Sequence, residues 1–233
     1  MKRWLLILVV FVISLTLLGN SQASIDGIYL KYYPKHSELK QALVLNSPKS
    51  LGHIVILPDE PFDQIEAASI ISRVDNLPST LLEKVHEHHI KLKLFLGKLT
   101  DNPTAQHLRG IIPRGYQGNT TWDDVPGIGG SKTVLVKIGH SEQGMGHGSV
   151  NLELHELAHS IDRYVYQEIR YNQEFLSIWK EEKRKLFENR PYFLTFPEEY
   201  FAEAFAMYYL GGAPRRHLKS TAPKTYEFMK TLD

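Results

Sequence analysis

His155 and His159 stand four residues apart in "NLELHELAHSID" (151–162), with Glu156 directly after the first. On a helix that spacing puts both imidazoles on one face, a single turn apart, where two nitrogens can reach one ion. Leu152, Leu154, Leu157 and Ile161 supply an apolar stripe that favours a helix, and Ser149 is its candidate N-cap. Glu156 sits about 100° round from His155, badly placed to ligate the same ion but well placed to hold a water and take its proton. The chemistry these residue types suggest is hydrolysis by a water activated on zinc (Zn2+), one ion per chain. A catalytic zinc takes three protein ligands and keeps a fourth position open, so a third ligand must come from elsewhere.

Four groups are candidates. Asp162 follows His159 by three residues, but a third ligand from the same stripe would crowd one side of the ion; a helix-surface or ligand-orienting role suits it better. His147, in "GMGHGS", could fold back from just before the helix. His86, His88 and His89 form "HEHH", which reads more simply as a solvated helix C-terminus favoured by the helix dipole. The fourth is "PEEYFAEAFAMYYL" (197–210), where Glu199 and Glu203 are four apart on an otherwise apolar helix. Burying two carboxylates there is expensive unless they are paired or bound to metal. The plain alternative is an exposed acidic edge that includes Glu198. The burial argument favours Glu199.

The elements that must position these groups follow a strands-then-helices order, the α+β pattern. "HIVILP" (53–58) predicts a buried strand and 61–74 a helix with Pro61 in its first turn. Residues 78–90 predict a second helix, "KLKLFLG" (91–97) a half-exposed strand, and 132–139 a strand near a sheet edge. Between them, 98–131 is rich in Gly, Pro, Asn and Asp and carries Tyr116 and Trp122; a loop of that length in a compact domain tends to carry function. Helices are expected over 149–169, 172–187, 197–210 and 222–232. Residues 24–50 are expected to be a loose leader to a single domain of 51–233, with an N-terminal lobe (51–148) and a helical C-terminal lobe (149–233).

"MKRWLLILVVFVISLTLLGNSQAS" opens the chain with Lys2 and Arg3, an apolar run from Trp4 to Leu18, and Ser21 and Ala23 placed for cleavage after Ala23. The rival reading is a permanent N-terminal anchor, but the run is short of a bilayer span of ~20 residues, so a cleaved signal peptide and a secreted product, without stable membrane association, are expected. Removing Lys2 and Arg3 from the 27 basic residues leaves 25 against 26 acidic ones, a balance that argues against a nucleic-acid partner. No cysteine is present. An exported chain without disulfides must be held by its core, helped by any bound metal.

The quoted motifs, with "KLKLFLGKLTD" (91–101), "GIIPRGYQG" (110–118), "TWDDVPGIGGS" (121–131) and "VNLELHE" (150–156), resemble the catalytic domain of anthrax lethal factor, and more closely the small secreted Pro-Pro endopeptidases of Gram-positive bacteria. The resemblance runs from about residue 53 to the C-terminus. It implies a zincin-type α+β metalloprotease domain with His155, His159 and Glu199 as zinc ligands and Glu156 as general base. It also implies Tyr192, in "RPYFLTF", as a catalytic hydroxyl and Glu203 as a supporting carboxylate. For substrate binding it implies the "GIGGSK" loop with Gly129, Gly130 and Ser131, the aromatic Tyr116 where a Trp is expected, and an Arg114–Glu198 pair closing over the peptide. The implied substrates are extracellular or cell-surface proteins with Pro-Pro segments, cut by a monomer. The other readings are the same chemistry with a different sequence preference, and a catalytically silent metal-bound adhesion module.

Overall fold

The computed structural model describes residues 26–115 and 118–232. The signal peptide expected at 1–23 and the aromatic Tyr116 lie outside the described residues. Five short strands form one sheet: β1 (Ile28–Tyr29), β2 (Val55–Leu57), β3 (Lys91–Phe95), β4 (Gly127–Ile128) and β5 (Thr133–Lys137), in the order β1-β2-β3-β5-β4. The central three run parallel, and β1 and β4 pair antiparallel at the two edges. Helices α1 (Glu38–Ala42), α2 (Pro48–Ile54), α3 (Gln64–Val74) and α4 (Ser79–Glu87) lie among the first strands. After β5 come α5 (Leu152–Tyr164), α6 (Gln173–Leu186), α7 (Pro191–Thr195), α8 (Pro197–Leu210), α9 (Gly212–Thr221) and α10 (Pro223–Lys230). This is the mixed α+β class that the sequence predicts.

Local chemistry moves several boundaries. The strand predicted at 53–58 shrinks to three residues because Pro48 opens a helix that runs to Ile54. Asp63, not Pro61, sets the start of α3, its carboxylate accepting the N–H groups of Ile65 and Glu66 at 3.1 and 2.9 Å. Asn151 rather than Ser149 caps α5, accepting the Leu154 N–H at 3.0 Å, while the Ser149 hydroxyl donates to the Asn151 carbonyl. The α9 segment begins "GGAP", a breaker signal. Pro214 falls within its first turn, where a missing N–H costs nothing.

The half-exposed strand predicted at 91–97 is instead covered on both faces. Leu92 and Leu94 join the main core under the helices. On the other face Phe95 and Leu135 pack with Leu99, Ala105 and Trp122 of the long loop, and Lys93 is buried to its tip, where its amine meets Asp26 at 2.9 Å. β5 is one strand in from the edge, which belongs to β4. Residues 26–50 are not a loose leader. β1 pairs with β2, Leu30 and Leu39 are buried in the main core, and the Asp75 carboxylate accepts the N–H groups of Asn46 and Ser47 at 2.5 and 2.9 Å. Against this framework α5 lies between the β4–β5 edge and α8, so the two motif-bearing helices face each other.

Candidate active site

The apolar stripe of α5 buries Leu154, Leu157 and Ile161, which turns His155 and His159 toward α8. That helix is buried nearly all round, with Tyr200, Phe201, Phe205 and three alanines at zero exposure, the pattern of a core helix. Pro197 starts it, and Glu198 and Glu199 occupy its first turn, where the helix dipole favours negative charge. Glu199 is 7% exposed and Glu203 not at all, so the exposed-edge reading fails. The Nε2 atoms of His155 and His159 are 3.3 Å apart, and each lies 3.4 Å from Oε2 of Glu199. Among the described residues these are the one group of three whose donor atoms converge closely enough for a metal.

Two corners of this triangle, His155 and Glu199, are braced from outside it. Glu203 Oε2 lies 3.1 Å from His155 Nδ1, and its Oε1 accepts the Val150 N–H at 3.0 Å. With the Nε2 proton given up to a bound cation, a proton kept on Nδ1 would still donate to that carboxylate, and the Nε2 lone pair would point at the centre of the triangle. Burial works against charge on His155, but hydrogen bonds to Glu199 and Glu203 outweigh it and push its pKa up to about 10. For Glu199 burial raises the pKa, yet the hydrogen bonds from the two imidazoles prevail and hold it well below the usual carboxylate range. Glu203 is lowered in the same way, His155 prevailing over burial. These shifts describe a pocket whose carboxylates draw positive charge to the triangle, which suits a cation held by two nitrogens and one oxygen.

Glu156 lines a cavity of about 710 Å³ together with both histidines and Glu199. Burial raises its pKa, with the His155 and His159 charges opposing; a carboxylate tuned upward is better matched to taking a proton. The turn after β4 presses on its backbone: a Cβ at Gly129 would stand 1.9 Å from the Glu156 carbonyl oxygen, so only glycine fits. Gly130 donates its N–H to the Ser160 hydroxyl at 3.0 Å, and that hydroxyl donates to the Ser131 carbonyl at 2.8 Å. Gly129 and Gly130 thus line the cavity, whereas the Ser131 side chain bonds the Thr133 carbonyl, outside the lining.

Tyr192, on α7, donates its hydroxyl to Glu199 Oε1 at 2.8 Å; burial and the Glu199 charge raise its pKa, so it stays a protonated donor. Arg114 reaches the same carboxylate at 3.2 Å and Glu198 at 3.0 Å, with its guanidinium 3.8 Å above the Phe196 ring. Gly115, at φ +86°, lets that loop touch the Tyr192 ring; a Cβ there would come within 2.7 Å of it. The other ligand candidates stand apart. Asp162 is fully buried and bonds Arg170 Nε at 2.7 Å, and His86 stacks near His53. His147 lines the cavity but holds the His140 carbonyl through Nε2 at 2.8 Å. Sequence reasoning missed Asn151, Ser160, Arg163 and Arg190. The last donates to the Gly148 carbonyl, lies 3.7 Å from Glu203 and stacks on Phe193. Only Asn151 left a readable signal, as a cap-type residue nearer the stripe than Ser149.

The fold and the His–Glu–His triangle across two facing helices define the class, a zincin-like metalloprotease domain. The family model described as "Anthrax toxin lethal factor, N- and C-terminal domain" matches residues 43–232. The Pro-Pro endopeptidase of Clostridioides difficile (strain 630) is 40% identical over 211 residues, 90% of this chain and 95% of that protein. The Pro-Pro endopeptidase of Paenibacillus alvei is 40% identical over 183 residues, 78% and 84% of the two chains. The solved structure of the Paenibacillus alvei Pro-Pro endopeptidase PPEP-2 superposes with a TM-score of 0.76 at 39% identity, covering 79% of this chain and all of that one. The chain belongs to the lethal factor-like family of peptide-bond hydrolases, beside the Pro-Pro endopeptidases.

Proposed function

We propose that this protein is an exported zinc endopeptidase that cuts the bond between two prolines in extracellular or cell-surface proteins, acting as a monomer. The observation that carries the reading is the triangle of donor atoms. A tetrahedral zinc with bonds of about 2.05 Å sets its ligand atoms about 3.3–3.4 Å apart, and the separations here are 3.3, 3.4 and 3.4 Å. Two imidazoles and a carboxylate, with a free side toward the cavity, are a catalytic zinc donor set. The Pro-Pro preference rests on the relatives at 40% identity, and export on the N-terminal apolar run before Ala23.

Zinc held by His155, His159 and Glu199 would supply a water of pKa ~7 and polarise the scissile carbonyl. Glu156 accepts the proton of the attacking water and returns it to the leaving nitrogen. Before cleavage that nitrogen is a proline's, tertiary and without N–H, so the site gains no hydrogen bond from it. The Tyr192 hydroxyl turns from Glu199 to donate to the oxyanion as it forms. The Glu203 carboxylate keeps His155 in the tautomer that presents Nε2.

The purified protein and its Glu156→Gln variant, offered quenched fluorescent peptides with a central Pro-Pro, test this reading. The parent should cut between the prolines, and the variant should lose about 10²–10⁴-fold in kcat while still binding one zinc per chain. Parental rates in Glu156→Gln would sink the mechanism. Cleavage by the parent at other bonds alone would sink the proline preference.

A further inference from the structure

Four arginines line the active-site cavity, and three of them are neutralised. Arg114 pairs with Glu198 and Glu199, Arg170 with Asp162, and Arg190 faces Glu203. Arg163 differs. Among the described residues no carboxylate comes within ion-pair distance of it, although Glu168 lines the same cavity beyond the end of α5.

The Arg163 side chain is exposed and held at one point. Its Nη1 donates to the Gly130 carbonyl at 3.0 Å, and its Cζ lies 5.4 Å from the Tyr164 ring centre. The Gly130 peptide is itself tied to α5 through Ser160. One of five N–H donors is thereby used, and the rest of the fork stays available. A guanidinium anchored at one corner and unpaired elsewhere is prepared for a planar carboxylate, which it can grip through two parallel bonds.

We infer that Arg163 is a specificity-determining residue that selects substrates carrying Asp or Glu close to the cut. The inference rests on the hydrolase reading of this cavity. Position along the substrate follows from the helix. Arg163 is one turn, about 5.4 Å, beyond the ligand His159, and an extended peptide advances about 3.3 Å per residue. For a peptide laid along α5 that is about 1.6 residue spacings, and with the reach of its long side chain Arg163 reads a residue two or three places from the scissile bond. Glu156, Glu168, Glu198 and Glu199 also line the cavity and repel acidic groups elsewhere in it, which keeps the preference local to Arg163.

The test is a charge scan. Peptides with a fixed central Pro-Pro carry Glu, Gln or Lys at each position two or three residues from the cut, on either side. The ratio of kcat/KM for Glu over Gln at each position is measured for the parent, Arg163→Gln and Arg163→Glu, at low and physiological salt. At one position the parent should favour Glu about tenfold, as a charge-assisted pair in a partly exposed cavity allows. That preference should fall towards unity in Arg163→Gln, turn to Lys in Arg163→Glu, and weaken with salt. Because each ratio is taken within one protein, a general loss of activity in a variant does not imitate the effect. Pro-Pro cleavage with ratios near unity everywhere, or a Glu preference that survives in Arg163→Gln, overturns the role of Arg163 and leaves the proposed function intact. If the parent cuts another bond, the proline preference fails and the same scan is set about the bond that is cut. No cleavage of any peptide overturns both.

Discussion

Glu203 is the side chain whose replacement separates metal binding from mere packing. It has no exposed surface, and its two oxygens serve different donors, Oε1 the Val150 N–H at 3.0 Å and Oε2 the His155 Nδ1 at 3.1 Å. Glu203→Gln keeps the shape but offers one acceptor. If the amide oxygen stays on Val150, its NH2 faces Nδ1, and His155 must accept there and carry its proton on Nε2, the atom that faces the metal position. If the oxygen stays on His155, the NH2 meets the Val150 N–H, and a buried donor without a partner costs about 1–3 kcal/mol. Zinc affinity should therefore fall about 10–100-fold, which is about 1.4–2.7 kcal/mol. Competition with a fluorescent chelator measures it directly, and thermal melting in excess zinc and in chelator separates affinity from fold stability. Affinity within threefold of the parent, with an unchanged melting point, would refute the claim that Glu203 sets the tautomer of His155.

Two further substitutions probe the remaining parts. Tyr192→Phe should lower kcat about 10²–10³-fold, the cost of one oxyanion donor, with KM changed little and zinc retained; an unchanged kcat removes Tyr192 from the chemistry. Gly129→Ala places a methyl 1.9 Å from the Glu156 carbonyl oxygen, so the turn must lift from α5 or the helix must shift. The expected result is a loss of about 1–3 kcal/mol from overpacking, read as a lower melting temperature together with a lower kcat/KM, and a melting point equal to the parent's would contradict the close approach.

The site was more legible than the scaffold that holds it. His155, His159 and Glu156 declare themselves by spacing, because a helix turns any four-residue separation into adjacency. Glu199 could be chosen because an apolar helix gives a carboxylate no inexpensive place to go, and α8 occupies residues 197–210, as its pattern predicts. Tyr192 had no such signal. Its place beside Glu199 could be expected only through resemblance, since nothing in "RPYFLTF" distinguishes a hydroxyl that bonds a buried carboxylate from a core aromatic. The scaffold errors share a cause. Lys93 looks like a solvent-facing position until Asp26, from a segment 67 residues away, is seen to meet it, and Leu30 and Leu39 look like a leader until the core they enter is assembled. Long-range partners decide such positions, and local patterns do not report them.

The Glu199 carboxylate is divided between two clients. One oxygen faces the histidine pair, and the other accepts from Tyr192 and from Arg114, whose loop borders the cavity. Hold on the ion and posture of the loop are therefore linked quantities, and linkage runs equally in both directions. On the proposed reading, a peptide that drew Tyr192 and Arg114 away would free electron density on Glu199 for an ion, and an ion firmly held would in turn loosen the loop's tether. An ion at the histidine pair and a peptide at the loop would then negotiate through one side chain.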